Sequence, residues 1–247
     1  MTLYKVVRSG VKTLVLGVAL AAGPATAADR PVVVELFTSQ SCYSCPPAEE
    51  LLGKLAARPG LIALEFHVDY WNSLVYGLAG RWTDVFSSPA HTERQRAYAA
   101  RLPGGVYTPQ MVIDGRAQVV GSRLRDVEQA IAAARSAPDP GAEVSVERIG
   151  ERLAVRIAGA ASTQPTPVWL IRYRERATTR VAAGENRGKT LTNHHVVVRM
   201  DQIGIHTGDK TELTAAIDLS MGEGCAVLVQ SAALGPIAGA ADCQLRP

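Results

Sequence analysis

The sequence is poor in cysteine and in net charge, and both absences exclude classes of protein. Only four of its 247 residues are cysteine, too few for a small disulfide scaffold. The formal net charge is +3, and residues 1–27 alone carry three basic and no acidic residues, so the rest of the chain is neutral. A neutral chain lacks the basic stripe of a nucleic-acid-binding protein, and we predict no nucleic-acid partner. With 47% hydrophobic residues it is an ordinary globular protein.

The sequence also lacks an apolar run long enough to span a membrane, which needs about 20 residues. The apolar run at residues 13–23 follows three basic residues and precedes Ala25-Thr26-Ala27. This order is typical of a cleaved secretory signal, which we place at residues 1–27; an uncleaved anchor is the alternative. Export predicts a periplasmic or secreted protein that has no membrane contact after cleavage. Disulfides form in that environment.

Up to residue 137, apolar strands alternate with amphipathic helices. The pattern predicts strands at 32–37 and 61–68, helices at 48–57, 89–102 and 123–135, and a hairpin within 111–120. Ser88 and Pro89 are a typical helix start, and Asp114-Gly115 is a typical hairpin turn. The order β-α-β-α-β-β-α predicts an α/β, thioredoxin-like domain with a helical insertion at residues 28–137.

After residue 140 the hydrophobic period changes to two. Short apolar stretches recur at residues 144–146, 153–157, 168–173, 196–200, 213–219 and 226–230, with turns between them. Such a pattern is typical of a small all-β, sandwich-like unit. We therefore predict a second, β-rich domain at residues 138–247. The sequence gives no indication of the oligomeric state.

The most informative motif is Cys42-Tyr43-Ser44-Cys45, which lies between the first predicted strand and the first predicted helix. A helix N-terminus offers unpaired N–H groups and a positive dipole end, which favour a thiolate. Such a pair can cycle between dithiol and disulfide without a cofactor. We expect Cys42, with an exposed sulfur, to be the catalytic nucleophile and Cys45 to resolve the mixed disulfide. The partner would be a polypeptide thiol or disulfide, or a redox protein.

Two further positions complete the predicted redox site. Thr108-Pro109 precedes a predicted strand, as does the cis-proline loop that presents its backbone to substrate in thioredoxin-like folds. An ordinary trans peptide is the alternative at this position. Glu35 lies within an apolar strand and is a candidate catalytic proton acceptor for the resolving thiol, since burial would raise its pKa. A solvent-facing position at a strand edge is the alternative for Glu35.

Three more side chains are candidates for binding the substrate. His67 and Asp69 lie two residues apart at the end of the second predicted strand, so they share one face and could line the cleft beside Cys42. A His–Asp pair that only caps the strand is the alternative. Tyr43, between the cysteines, is the third candidate. We predict no metal site at the adjacent His194 and His195, which point to opposite faces of a strand.

The second cysteine pair, Cys225 and Cys243, differs in character from the first. A hairpin that turns near Gly235-Pro236 would bring the two residues opposite each other, close enough to bridge. This pair lacks the helix start that lowers a thiol pKa. We therefore predict a structural disulfide, and a second redox couple is the alternative.

Several segments together resemble a known bacterial family. They are residues 35–47, 67–71, 87–98, 106–115 and 184–186. The family comprises secreted proteins of unknown function with a thioredoxin-like domain, and the resemblance covers nearly the whole chain after the signal. It implies a thioredoxin-like domain followed by a β-rich domain, and it implies no activity. The chain departs from the family pattern between residues 72 and 86, where its loop is longer.

Three functions remain open at this point. The leading hypothesis is an exported thiol–disulfide oxidoreductase that uses Cys42 and Cys45 and docks a polypeptide at Thr108-Pro109. A soft-metal protein that holds Cu(I) between the two cysteines, with His67, is an alternative. A non-catalytic envelope protein whose Cys42–Cys45 bond stays closed is another, because a fold alone confers no activity.

Overall fold

The computed structural model describes residue 1 and residues 30–138, 141–159 and 164–243; the predicted signal beyond its first residue lies outside the described residues. The strands are β1 (Val32–Thr38), β2 (Leu61–His67), β3 (Gln110–Ile113), β4 (Ala117–Val120), β5 (Glu143–Ile149), β6 (Arg152–Ala158), β7 (Thr166–Arg180), β8 (Thr190–His206), β9 (Lys210–Ala216), β10 (Glu223–Gln230) and β11 (Ile237–Asp242). The α-helices are α1 (Pro46–Ala56), α2 (Pro89–Ala99) and α3 (Leu124–Ser136). Two short 3-10 helices, Tyr70–Ser73 and Gly77–Ala79, lie between β2 and α2.

The strands form two sheets. The larger sheet has eight strands in the order β11-β10-β7-β8-β2-β1-β3-β4, and the smaller has the order β5-β6-β9. In the larger sheet β2 runs parallel to both β1 and β8, and the other pairs are antiparallel. Since β1 and β2 are parallel, their carboxyl ends meet at one edge of the molecule. Such an edge is where α/β sheets place their functional sites.

The predicted fold class is wrong, because the structure is mostly β. The described residues contain eleven strands and three α-helices, and no thioredoxin-like α/β unit stands apart from a β-sandwich among them. Instead β7, β8, β10 and β11 continue the sheet begun by β1–β4. The physical reason is the length of β7 and β8, which have 15 and 17 residues. They are long enough for β8 to reach β2, where Glu65 pairs with Val196.

The boundary that we placed between residues 137 and 138 stays a prediction, and the large sheet crosses it. The elements predicted up to residue 137 agree with the structure, whereas the stretches predicted at 168–173 and 196–200 are the longer strands β7 and β8. The Ser88 hydroxyl caps α2 by accepting a hydrogen bond from the Ala90 N–H. Asp114 and Gly115 have positive φ values of 56° and 64° in the turn between β3 and β4, as a tight hairpin requires.

Side chains of the large sheet pack on both faces. Successive residues of β1 point to opposite faces. Val34 and Leu36 pack beneath α1 and α3, whereas Val33 and Phe37 pack on the other face, where α2 contributes Tyr98. The smaller sheet covers the C-terminal strands with a separate apolar cluster. No helix in the described ranges is both long and apolar enough to cross a membrane.

Candidate functional site

The cysteine motif lies at the carboxyl end of β1 and opens α1. Cys42 and Cys45 are joined by a disulfide, and Cys45 immediately precedes the first helical residue, Pro46. A proline is tolerated there because the N–H that it lacks would have no partner within the helix. Both cysteines are fully buried, with 0% of their surface exposed. The prediction that the sulfur of Cys42 is exposed is therefore wrong.

The segment between β7 and β8 binds the backbone around Cys42. We call residues 183–189 the covering loop. The side-chain nitrogen of Asn186 donates hydrogen bonds to the carbonyl oxygens of Gln40 and Cys42, each at 2.9 Å. Asn186 is itself completely buried. A residue from the distant half of the chain thus holds the turn that carries the first cysteine.

A second set of contacts joins the covering loop to Tyr43. The Tyr43 N–H donates to Oε2 of Glu185 at 2.8 Å. The Tyr43 side chain is 66% exposed, and the Lys189 ammonium lies 4.3 Å from the centre of its ring. The position of Tyr43 at the surface agrees with its predicted contact to substrate, which stays a prediction.

The Thr108–Pro109 peptide is cis, as predicted. Pro109 is buried, and Oγ1 of Thr108 accepts a hydrogen bond from Nε1 of Trp71 at 2.9 Å. The Trp71 ring stacks on Tyr76, with 6.3 Å between the ring centroids. Tyr76 lies beside the covering loop, because a Cβ atom at Gly184 would be 3.8 Å from its ring. Two aromatic residues therefore connect Thr108 to the covering loop.

Glu35 is buried, so its alternative position at a solvent-facing edge is wrong. Its carboxylate accepts a hydrogen bond from Nε of Arg94 at 2.7 Å and another from the Tyr98 hydroxyl. Both partners belong to α2, whereas α1, which begins directly after Cys45, packs on the other face of β1. Glu35 therefore lies across the sheet from α1. Its role as proton acceptor stays a prediction that this placement does not support.

A buried cluster of titratable groups lies instead on the α1 face, and sequence reasoning missed most of it. The cluster consists of Glu49, Glu65, His67 and Asp84, each no more than 2% exposed. His67 links two of the carboxylates, since Nδ1 lies 2.7 Å from Oδ2 of Asp84 and Nε2 lies 3.1 Å from Oε1 of Glu65. Glu49 accepts a hydrogen bond from the Thr38 hydroxyl at 2.7 Å.

The groups of this cluster shift one another's pKa values. Burial, and then the neighbouring Glu65, raise the pKa of Glu49 to about 8. Burial by itself lowers the pKa of His67, but Asp84 and Glu65 outweigh it, and the pKa stands well above the usual value. Burial alone would raise the pKa of Asp84, but His67 and two backbone N–H groups lower it. The neighbouring carboxylates therefore favour the protonated form of His67, and burial favours the protonated form of Glu49.

The predicted pair of His67 and Asp69 does not form. Both ring nitrogens of His67 are occupied by carboxylates of the cluster, and Oδ1 of Asp69 accepts a hydrogen bond from the Thr92 hydroxyl at 2.6 Å. His67 is also fully buried, so it is not part of an open cleft. Because its nitrogens are taken, it has no lone pair to offer a copper ion beside the cysteines. Across the described ranges, no group of three or more His, Cys, Asp or Glu residues is arranged to hold a metal.

Glu49 could have been recognised from the helical pattern of α1. Its buried residues are Ala48, Glu49, Leu52 and Leu55, so the glutamate occupies a core position of the helix. A carboxyl group at a core position, four residues after a cysteine, is the signal that sequence reasoning passed over. The neighbouring Glu50 faces solvent and pairs with Lys54 at 2.7 Å.

The predicted bond between Cys225 and Cys243 is confirmed. The two residues form a disulfide between the start of β10 and the end of β11, and the Cys243 N–H donates to the Cys225 carbonyl at 2.8 Å. Both are buried in the apolar cluster beneath the smaller sheet. The structural role of this bond stays a prediction.

Comparison with known proteins finds a family model that matches most of this chain. The family described as "Protein of unknown function (DUF1223)" matches residues 33–230. The chain belongs to the DUF1223 family. The match runs from β1 to the end of β10, so it includes the cysteine motif, Thr108-Pro109 and the covering loop. Membership of a family of unknown function is confirmed, whereas a thioredoxin-like domain is not.

Two solved structures resemble this DUF1223 protein. A protein of Agrobacterium tumefaciens, solved by X-ray crystallography in a structural genomics programme, is 31% identical, with a TM-score of 0.72; the alignment covers 87% of this chain and 97% of that chain. HBP35 of Porphyromonas gingivalis is 14% identical, with a TM-score of 0.55 and coverage of 87% and 74%, and shows likeness of fold alone. No functionally curated protein matches. The two disulfides are compatible with an exported protein.

Proposed function

We propose that this DUF1223 protein is an exported thiol–disulfide oxidoreductase whose redox couple is Cys42 and Cys45. The observation that carries the proposal is their disulfide at the N-terminus of α1. The unpaired N–H groups and the positive dipole end of that helix stabilise a thiolate after reduction. A stabilised thiolate at neutral pH is the requirement for thiol–disulfide exchange.

The reaction runs through a mixed disulfide. In the reducing direction the thiolate of Cys42 attacks one sulfur of a polypeptide disulfide, and the other substrate sulfur leaves as a thiolate. The thiolate of Cys45 then attacks the sulfur of Cys42, closes the protein disulfide and releases the first substrate sulfur. The substrate gains two electrons and the cysteine pair loses two, which an external dithiol reductant restores.

We assign Glu49 as the group that exchanges a proton with the thiol of Cys45. It lies four residues after Cys45 along α1, so the two side chains occupy neighbouring positions on one helix face. Its pKa of about 8 lies close to the pKa of about 8.5 that is usual for a cysteine thiol. A proton can therefore move between groups of matched affinity at small cost. The Thr38 hydroxyl holds the carboxyl group in place.

Turnover of a model disulfide substrate tests the proposal. The protein should accelerate the reduction of insulin by dithiothreitol, and Cys42→Ser should abolish the acceleration because no mixed disulfide can form. The control is the double variant Cys225→Ala/Cys243→Ala, which removes the other disulfide and should retain activity. Equal acceleration by the Cys42→Ser variant and the unchanged protein would contradict the assignment.

The complete burial of both sulfurs favours a second candidate, a non-catalytic envelope protein whose disulfide remains closed. The two candidates differ in what a Cys45→Ser variant can trap. An oxidoreductase lacking its resolving thiol accumulates mixed disulfides at Cys42. A closed scaffold yields no such adduct, and its Cys42–Cys45 bond persists in a glutathione buffer. Recovery of adducts that disappear in Cys42→Ser/Cys45→Ser would exclude the second candidate.

A further inference from the structure

We propose that the covering loop, residues 183–189, is a gate whose release exposes the sulfur of Cys42. The inference deepens the proposed function, on which it rests, by adding control of access to the same site. The burial of Cys42 conflicts with the access that its proposed role requires. A nucleophilic sulfur needs access to its substrate, yet Cys42 is completely buried. The elements that enclose it must therefore move before exchange begins.

The gate is held by the side chain of Asn186. Its nitrogen donates to the carbonyls of Gln40 and Cys42, and its oxygen accepts a hydrogen bond from the Lys189 ammonium at 2.8 Å. The Asn186 side chain thus binds a carbonyl group at each end of the turn that leads into the disulfide. Glu185 adds a third contact to this turn by accepting the Tyr43 N–H.

The covering loop packs closely against the segment before α2. Gly184 has a φ of 75°, and a Cβ atom there would lie 3.2 Å from Cβ of Trp82, so the backbone of the loop approaches the segment before α2 closely. The Gly184 N–H donates to the Ala79 carbonyl at 2.9 Å. The Ser41 hydroxyl donates to the Trp82 carbonyl at 3.3 Å. The covering loop, the segment before α2 and the cysteine turn therefore meet at one point.

The covering loop is well suited to local opening. Glu185, Arg187, Gly188 and Lys189 are exposed, and only Gly184 and Asn186 turn inward as buried residues of the loop. Hydrogen bonds rather than apolar burial hold it, and segments with few buried apolar contacts open at lower free energy than the core. Its ends continue into β7 and β8, which stay paired through fourteen residue pairs. The loop can therefore lift while the sheet remains intact.

Opening also frees a hydrogen-bond donor for the substrate. In the closed state the Tyr43 N–H, next to Cys42, is taken by the Glu185 carboxylate. When the loop lifts, this N–H can bind a backbone carbonyl of the polypeptide beside its disulfide. Glu185 thus occupies the position of a substrate carbonyl until the gate opens.

The test compares the reduction rates of the two disulfides in one molecule. The full chain is treated with the phosphine TCEP, the freed thiols are alkylated, and each disulfide is followed by mass spectrometry. Asn186→Ala should speed reduction of Cys42–Cys45 about tenfold, since about 1.4 kcal/mol of lost closing free energy corresponds to that factor. The Cys225–Cys243 bond is the internal control, because it is equally buried and distant from the gate. Its rate should not change.

A second variant keeps the test decisive if Asn186→Ala does not fold. Glu185→Ala removes an exposed side chain and one contact to the gate, so reduction of Cys42–Cys45 should rise about threefold. Glu212→Ala removes another exposed glutamate, on β9, and should leave both rates unchanged. Unchanged rates at Cys42–Cys45 would overturn the gate. Equal acceleration of both disulfides would also overturn it, since that result reports loss of stability in the whole molecule.

The outcome is separable from that of the proposed function, because the phosphine assay needs no protein substrate. Selective acceleration at Cys42–Cys45 without insulin turnover in any variant would retain the gate and refute the oxidoreductase. Insulin turnover by the unchanged protein, with no selective acceleration in the variants, would retain the oxidoreductase and refute the gate.

Discussion

Two buried glutamates, Glu35 and Glu49, differ in the groups that contact their carboxyl groups. Glu35 accepts hydrogen bonds from a guanidinium and a phenol, those of Arg94 and Tyr98. Glu49 accepts one from the neutral Thr38 hydroxyl and lies near a second carboxylate, Glu65. Burial favours the protonated form of Glu49. Glu49 is therefore the glutamate that we assign to proton exchange, whereas two groups of α2 bind the carboxylate of Glu35.

The protonation of Glu49 makes stability depend on pH. Its pKa is about 8 in the folded protein and 4.5 when unperturbed. The folded state therefore holds a proton that the unfolded chain has released between these values. The stabilisation is fully present below pH 4.5 and is lost as the pH rises towards 8. Glu49→Gln, which stays neutral, should lose less free energy of unfolding than the unchanged protein between about pH 5 and about pH 8.

Denaturant unfolding at the two pH values measures this difference. His67, whose pKa is also raised, remains in both proteins, so its own loss of stability above pH 6.5 acts on both. The matched control is Glu50→Gln, an exposed neighbour on the same helix, which should follow the unchanged protein. Identical pH profiles for Glu49→Gln and the unchanged protein would disprove the assigned protonation.

Among the elements, the ends of β1 and β2 decide where the candidate chemistry lies. The two strands are parallel and in register, and Thr38 of β1 pairs with His67 of β2. The cysteine motif and α1 follow β1 directly, so the helix N-terminus lies beside the buried carboxyl groups at that edge. A shift of one residue in β1 would turn Thr38 and Leu36 to the other face and separate them from Glu49.

The hairpin of β10 and β11 is the element that the second disulfide supports. Cys225 and Cys243 are separated by 18 positions, and closing a loop of this size stabilises by about 3 kcal/mol through loop entropy. Cys225→Ala/Cys243→Ala should lower the free energy of unfolding by about that amount in denaturant titrations. The Cys42–Cys45 disulfide spans a separation of only 3, so Cys42→Ala/Cys45→Ala should lower the free energy of unfolding by less. The opposite ranking would refute a structural role for Cys225–Cys243.

At the scale of the whole molecule, the two halves of the sequence share one sheet and one apolar core. Phe37 and Phe66 of the first half pack in the same cluster as Tyr173 and Leu228 of the second. Arg94 joins the halves by donating to Gln230 at 2.8 Å. Neither half alone buries the apolar side chains of this shared cluster.

The shared core predicts that the first half does not fold by itself. A fragment of residues 28–137 loses β8 as the neighbour of β2 and exposes the apolar face that β7 and β10 cover. Its unfolding should lack a cooperative transition, and its amide NMR spectrum should be poorly dispersed, in contrast to the chain of residues 28–247. A cooperative transition in the fragment would instead support the boundary that the sequence predicts at 137–138.

Agreement between sequence and structure is close for local features and poor for distant ones. The predicted strand at 32–37 is Val32–Thr38, and the helix predicted at 48–57 is Pro46–Ala56. The pairing of the four cysteines and the cis peptide are as predicted. The fold class failed because the apolar alternation in β7 and β8 does not say which strand each will pair with. The predicted exposure of Cys42 is wrong, and its carbonyl oxygen is bound by Asn186, 144 positions away, a contact that no local pattern shows.

The sequence by itself determined the helices and strands up to residue 137 and which cysteines are paired, because periodicity and short spacings act within one or two elements. The tertiary structure alone decided that β8 joins β2, that Glu49 rather than Glu35 lies on the α1 face of the sheet, and that a distant loop binds the backbone of the cysteine turn. Burial and strand pairing are properties of contacts between residues far apart in the chain. Such contacts exist only once the sheet has assembled.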